Sequence, residues 1–164
     1  MTATETMVRM GELAVSGVRG HVLVSLGLGS CIGLALVDRN LGIAGLAHVV
    51  LPDSAGHDAP SARFADQAVP QLVSELEAAG ARRARLEAVL VGGASMFGVS
   101  TSGLEVGQRN EAAVRALLHD LRIPVRAVAT GGRAGRTVRV DVETGAVTYR
   151  EAGGDDIELT AVAA

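Results

Sequence analysis

"CIGLALVDRNLGIAGLAHVVL", Cys31 to Leu51, is the stretch on whose reading the fold depends. Two apolar runs, Cys31–Asp38 and Ile43–Leu51, flank the short turn-like segment from Arg39 to Gly42. Runs of that length, rich in Val, Ile and Leu and bounded by turn residues, read as strands, and the pair reads as a β-hairpin. Asp38, Arg39 and Asn40 interrupt the passage, so neither half is long enough to cross a bilayer as a helix and no membrane span is expected. Counting outward from the turn, Cys31 on one arm falls level with His48 to Val50 on the other. The thiol and the imidazole are therefore expected to be cross-strand neighbours.

Upstream, "HVLVSL" (His21 to Leu26) has strand character, and "GELAVSG" alternates Leu13 and Val15 with smaller neighbours, the period of a half-buried strand. The polar start "MTATETM" places the beginning of the fold near Gly11, with about residues 1–10 and 152–164 loosely ordered. Downstream the period changes. Phe64, Ala65, Ala68, Leu72, Leu76 and Ala79 recur at three- and four-residue steps up to Gly80, a helix that Pro70 is expected to kink or break.

Leu86 to Val91 reads as a buried strand ending in a glycine turn, and "GQRNEAAVRALLHDLRIP" as a second helix stopping before Pro124. "VRAVAT", "RTVRVDV" and "AVTYRE" are three closing strands, the last two joined by "ETG". Strands, helix, strand, helix, strands is not the regular alternation of a doubly wound parallel sheet, so an α+β, mixed-sheet fold is expected.

A chain of 164 residues is the size of one domain and buries roughly 70% of its unfolded surface without staples. Net charge is −3, every one of the fifteen basic residues is arginine, and the aromatics are Phe64, Phe97 and Tyr149. That leaves neither a basic footprint nor stacking platforms for nucleic acid. The single cysteine excludes an internal disulfide, and no leader pattern opens the chain, so the cytoplasm is the expected compartment.

Cys31 has two readings: a small buried hydrophobe beginning a strand, or a nucleophile. Nucleophilic work needs a base nearby and a group that holds the base in its tautomer. Among His21, His48, His57 and His119, only His48 lies inside a core-strand pattern on the arm facing Cys31. His21 opens a strand and is able to approach the same end; His57 falls in the loop "DSAGHDAP" and His119 on a polar helix side. His48 as a satisfied core histidine remains open at this point. In "GLGSCIG", Gly29, Ser30 and Gly33 supply a tight backbone turn whose N–H groups suit a tetrahedral oxyanion, although a plain strand-to-strand turn uses glycine too.

Five motifs occur in order: G-S-C-x-G, A-H-x-x-L-P with its histidine seventeen residues after the cysteine, G-G-A-x-M-F, G-x-x-N and G-G-x-x-G-R. Together, across about Gly11 to Tyr149, they resemble the CheD family, the chemoreceptor glutamine deamidases of chemotaxis. The resemblance implies a single-domain cysteine hydrolase with mixed β-sheets packed together and flanked by two main helices. It implies conversion of receptor glutamine side chains to glutamate with release of ammonia, with receptor methyl-ester hydrolysis as a related activity. It implies Cys31 and His48 as the catalytic pair, with Ser25 where the family usually has threonine. Serine keeps the hydroxyl that can hydrogen-bond the imidazole and loses the methyl that restricts χ1.

No metal or organic cofactor is implied. The implied partners are cytoplasmic chemoreceptor helices and a CheC-type phosphatase; a binding module regulating that phosphatase is the rival reading, and an amidase for free small amides a third. In "GGASMFG", Gly92, Gly93, Met96 and Phe97 are candidates for a turn and a protein contact surface, or simply core. "GGRAGR" lacks the Walker spacing and lysine and reads as a connecting turn, with Arg133 and Arg136 as candidate partners for an acidic surface.

Overall fold

A computed structural model describes residues 4–55, 61–95 and 105–160. The hairpin forms as read. Ile32–Asp38 (β4) and Ile43–Val49 (β5) pair antiparallel, with Asp38 opposite Ile43, Gly33 opposite His48 and Ile32 opposite Val49. Both strands are buried along their whole length, which is why their sequences are continuously apolar rather than alternating: each has a packed layer on both faces.

Around this hairpin, in chain order, are β1 (Thr4–Met7), β2 (Leu13–Ser16), β3 (His21–Leu28), then, after β5, α1 (Ala65–Ala78), β6 (Glu87–Gly92), α2 (Val106–Asp120), β7 (Val125–Thr130), β8 (Arg136–Asp141), β9 (Val147–Glu151) and β10 (Ile157–Glu158). One sheet has the order β1-β3-β8-β9-β10 and the other β2-β5-β4-β6-β7. Each is mixed, with one parallel pair, β1 with β3 and β6 with β7. The architecture is the expected α+β one.

The alternation of side chains along the hairpin decides the layers. Ile32, Leu34, Leu36, Ala47 and Val49 point to the helices and pack with Leu72 and Leu76 of α1 and Val114 and Leu118 of α2. Cys31, Ala35, Val37, Ala44 and Leu46 point the other way and pack against Leu23, Leu28, Val138 and Val140 of the second sheet. The result is three layers, helices on sheet on sheet. Each fully buried leucine contributes about 2 kcal/mol relative to exposure.

Two expectations are corrected. The chain does not wait until Gly11: Thr4–Met7 forms an edge strand beside β3, and Ile157–Glu158 adds a strand at the far edge. β1 is mostly polar and half exposed, and β10 is a two-residue strand exposed at both positions, so no apolar alternation marks either; their backbone hydrogen bonds hold them. Nor does Pro70 break α1. It sits on the exposed side of the second turn, where its missing N–H removes one bond while Ala68, Val69, Leu72 and Val73 around it stay buried.

Candidate active site

Cys31 lies on the turn between β3 and β4, one residue before the ladder begins, and His48 is the penultimate residue of β5. Register settles their relation. Gly33 is directly opposite His48, and Cys31 shares its face two residues earlier, so thiol and imidazole are diagonal neighbours on the face turned toward the second sheet. Diagonal pairs stand about 7–8 Å apart at the backbone, within reach of side chains of this length. Between them Gly33 supplies room: a Cβ there would lie 2.9 Å from Leu28 Cδ1 and 3.1 Å from Val138 Cγ1. Gly33 is thus inside the ladder, where its missing side chain lets the second sheet close on the pair.

His48 is 3% exposed. Its Nδ1 lies 3.1 Å from the Val8 carbonyl oxygen. A carbonyl only accepts, so Nδ1 carries the proton, and Nε2 is left as the lone-pair nitrogen. That Nε2 is buried and has no hydrogen-bond partner among the described residues. Burial pushes the imidazole pKa below its ordinary value, against the opposing pull of the Val8 carbonyl and the Glu12 charge. Burial likewise pushes the Cys31 thiol up, with the Arg63 charge and the residue's own N–H pulling the other way. The pair therefore rests as neutral thiol and neutral imidazole near neutral pH.

Ser25 is completely buried on β3, on the opposing sheet. Its hydroxyl donates to the Val8 carbonyl at 2.7 Å, the same oxygen that receives His48 Nδ1–H. The direct serine–imidazole bond read from the sequence is not formed, because the chain leaving β1 brings a backbone carbonyl between them. Whatever hold Ser25 has on the imidazole passes through that oxygen. Ser25→Ala is then expected to lower kcat by about tenfold or less with KM unchanged, and Ser25→Thr to keep it, as read by steady-state kinetics.

The turn before the thiol is pinned from below. The carbonyls of Gly29, Ser30 and Cys31 accept, in order, from Ala94 N at 2.8 Å, Asn110 Nδ2 at 2.9 Å and Gly93 N at 2.9 Å. Gly92 and Gly93 are buried beneath the turn, so of the readings given for them the turn fits and the surface contact does not: they lie against the backbone of Cys31. At Gly92 (φ +118°) an added Cβ would stand 2.1 Å from the Cys31 carbonyl oxygen. Gly92→Ala is expected to destabilise the protein by about 3 kcal/mol or more, visible as a lowered Tm, since positive φ and a backbone clash add.

The remaining candidates separate. His21 is at the far end of β3, its ring held between Thr6 Oγ1 at 2.5 Å and Ser16 Oγ at 2.6 Å, and does not approach Cys31. His119 is exposed in the last turn of α2. His57, Met96 and Phe97 lie outside the described residues. Arg133 is exposed, but Arg136 is buried, donating to the Gly92 and Gly131 carbonyls and paired with Glu151, so its task is structural. Sequence reasoning missed Val8, which acts through its backbone and leaves no side-chain signal. It recorded Asn110 within G-x-x-N without giving it a task.

The His48 side opens on a cleft of about 390 Å³ lined by Met7, Val8, Arg9, Met10, Leu26 and His48. Met10 and Leu26 stand at its rim, 69% and 53% exposed. The described residues contain no group of His, Cys, Asp and Glu arranged to hold a metal ion. They contain no helix long and apolar enough to cross a membrane.

Comparison with known proteins meets this geometry from outside. Residues 50–151 match the family model for CheD, described as chemotactic sensory transduction. A chemoreceptor glutamine deamidase CheD of Thermotoga maritima is 42% identical over 150 residues, covering 92% of this chain and 94% of the relative. Probable chemoreceptor glutamine deamidases CheD of Moorella thermoacetica and Clostridium kluyveri are 46% and 40% identical over 157 residues, covering 91% and 93% of this chain and 92% and 96% of the relatives. Alignments of that extent necessarily include the segment from Cys31 to His48. With the five motifs in order, the sheet register that puts thiol and imidazole on one face, and relatives matched nearly end to end, the chain belongs to the CheD family.

Proposed function

We propose that this protein is a chemoreceptor glutamine deamidase in which Cys31 is the nucleophile, His48 the base and acid, and Ser25 a support for the base. The observation that carries the reading is the His48 ring: Nδ1–H tied to a carbonyl, and Nε2 buried and unpartnered among the described residues, on the same sheet face as the one cysteine. A base in that state accepts the thiol proton as attack begins.

The Cys31 proton passes to His48 Nε2 while Sγ bonds to the carboxamide carbon of a substrate glutamine. The tetrahedral oxyanion is met by the Ser30 and Cys31 N–H groups, which belong to the turn whose carbonyls are held by Ala94 N, Asn110 Nδ2 and Gly93 N. His48 returns the proton to the leaving nitrogen, the C–N bond breaks and ammonia departs. Water, activated by the same Nε2, then cleaves the thioester to give glutamate and the thiol. A methyl ester presents the same acyl carbon with methanol as leaving group, so receptor methyl-ester hydrolysis is within reach of the same groups.

An apolar, exposed rim at Met10 and Leu26 supports a substrate carried on another protein's surface rather than an enclosed small amide. The cytoplasmic helices of chemoreceptors are that substrate, which sets the protein to work in the cytoplasm, and a CheC-type phosphatase is a second partner by the same family reasoning. The test is incubation of the purified protein with a recombinant cytoplasmic chemoreceptor fragment, followed by peptide mass analysis and ammonia assay. Amide-to-acid conversion at particular glutamines is expected. Turnover of free glutamine analogues with none of the fragment would replace this reading by that of a small-molecule amidase.

A further inference from the structure

Asn110 breaks the pattern of its helix. On α2 the buried positions are Gly107, Asn110, Val114 and Leu118, and the steps of four from 110 to 118 call for an apolar residue at 110. Asn110 is instead completely buried, and its Oδ1 has no partner among the described residues. An orphaned buried amide oxygen costs about 1–3 kcal/mol, so its presence asks what the rest of the side chain achieves.

Both Nδ2 hydrogens are used. One meets the Ser30 carbonyl at 2.9 Å and the other the Val50 carbonyl at 2.9 Å. The two acceptors also fix the amide's orientation, because the flipped group would turn its oxygen onto two carbonyls. Their location is the point. The β4–β5 ladder ends at Ile32 opposite Val49, and the next rung would join Cys31 with Val50. No rung forms there: the Val50 N–H turns away to the Arg63 carbonyl at 2.8 Å, and the Cys31 carbonyl takes the Gly93 N–H. The amide of Asn110 replaces the missing rung, tying the residue before Cys31 to the residue two after His48.

We infer that Asn110 is a positioning residue for the catalytic pair: it holds the open end of the hairpin so that the turn carrying Cys31 keeps its place beside His48 and Sγ can approach Nε2 when the proton moves. This rests on the deamidase reading for the identity of the pair, but not for its test. A displacement of about 1 Å at a reacting centre is enough for about 100-fold in rate, so the clamp need not touch substrate to matter.

The experiment compares Asn110→Ala, Asn110→Ser and Leu118→Ala, the last a buried change on the same helix away from the hairpin carbonyls, with the parent at a temperature where each is folded by circular dichroism. Two readouts are taken: Cys31 alkylation by iodoacetamide against pH, and kcat and KM for ammonia release from the recombinant chemoreceptor fragment. For Asn110→Ala, alkylation at about pH 7, where His48 must take the proton, is expected to fall about tenfold, and to converge on the parent as the pH is raised until the thiol ionises alone. Its kcat is expected to fall about 100-fold with KM within about twofold, Asn110→Ser lying between and Leu118→Ala keeping the parent's pH profile.

A folded Asn110→Ala with the parent's alkylation profile would overturn the inference. So would an equal loss at every pH, the same profile in Leu118→Ala, or failure of both Asn110 variants to fold, which would assign the residue to folding alone. If the parent itself releases no ammonia from the fragment, the deamidase reading fails, while the alkylation profiles still decide the clamp.

Discussion

Cys31→Ala is expected, on the proposed mechanism, to lower ammonia release from a chemoreceptor fragment by at least about 10⁴-fold while leaving a folded protein, because removing a covalent nucleophile would remove the acyl-transfer route and not merely a rate-enhancing contact. The fold cost is small. The thiol is 8% exposed at the edge of the inter-sheet core, and alanine gives up one sulfur's contacts, on the order of 1 kcal/mol. Circular dichroism and Tm would confirm the fold, and trapping of a thioester-linked substrate peptide in the parent alone would identify the attacking atom. A folded alanine variant with appreciable turnover would end the thiol mechanism.

His48 is the second position of large expected effect. His48→Ala and His48→Gln are each expected to cost about 10³-fold or more in kcat, since an amide can reach the Val8 carbonyl but cannot carry a proton from thiol to leaving nitrogen. His21→Ala should cost little by comparison, its ring being tied to Thr6 and Ser16 at the other end of β3. The direction of each pKa shift gives the pH profile. His48 must be neutral to accept the proton, and burial lowers its pKa, so the acid limb of kcat/KM falls below the ordinary imidazole value of about 6.5. Burial raises the thiol, so the alkaline limb lies above about 8.5.

Stability follows the same signs. As pH falls below about 6.5 the unfolded chain protonates its imidazole before the folded one does, so the folded state loses stability on that side. His48→Gln should remove that part of the acid dependence. A kcat/KM profile whose acid limb lies well above the ordinary imidazole value would contradict the buried neutral base.

The hairpin was legible from Cys31 to Leu51 because composition and turn chemistry agree there. Two runs of apolar residues, of strand length and separated by Arg39–Gly42, admit one close pairing, and the period of two along a strand then settles which side chains share a face. From that pairing the nearness of Cys31 and His48 follows by counting. The helices were legible for the same reason, through their three- and four-residue periods. The edge strands Thr4–Met7 and Ile157–Glu158 were not, because a mostly polar strand, or one of only two residues, held by backbone bonds at a sheet edge has no hydrophobic period to read.

By itself, then, the sequence determined the family, the central hairpin, the helices and the identity of one thiol and one imidazole on facing arms. Those are local properties, carried by side-chain type and spacing along the chain. What holds that pair was decided only by tertiary structure. The Val8 carbonyl that selects the His48 tautomer and also receives the Ser25 hydroxyl comes from the residue just after β1. The amide that bridges Ser30 and Val50 comes from Asn110, eighty and sixty residues away in the chain. A backbone carbonyl has no residue type, and a hydrogen bond across such a separation leaves no period, so both exist only once the sheets and α2 have packed.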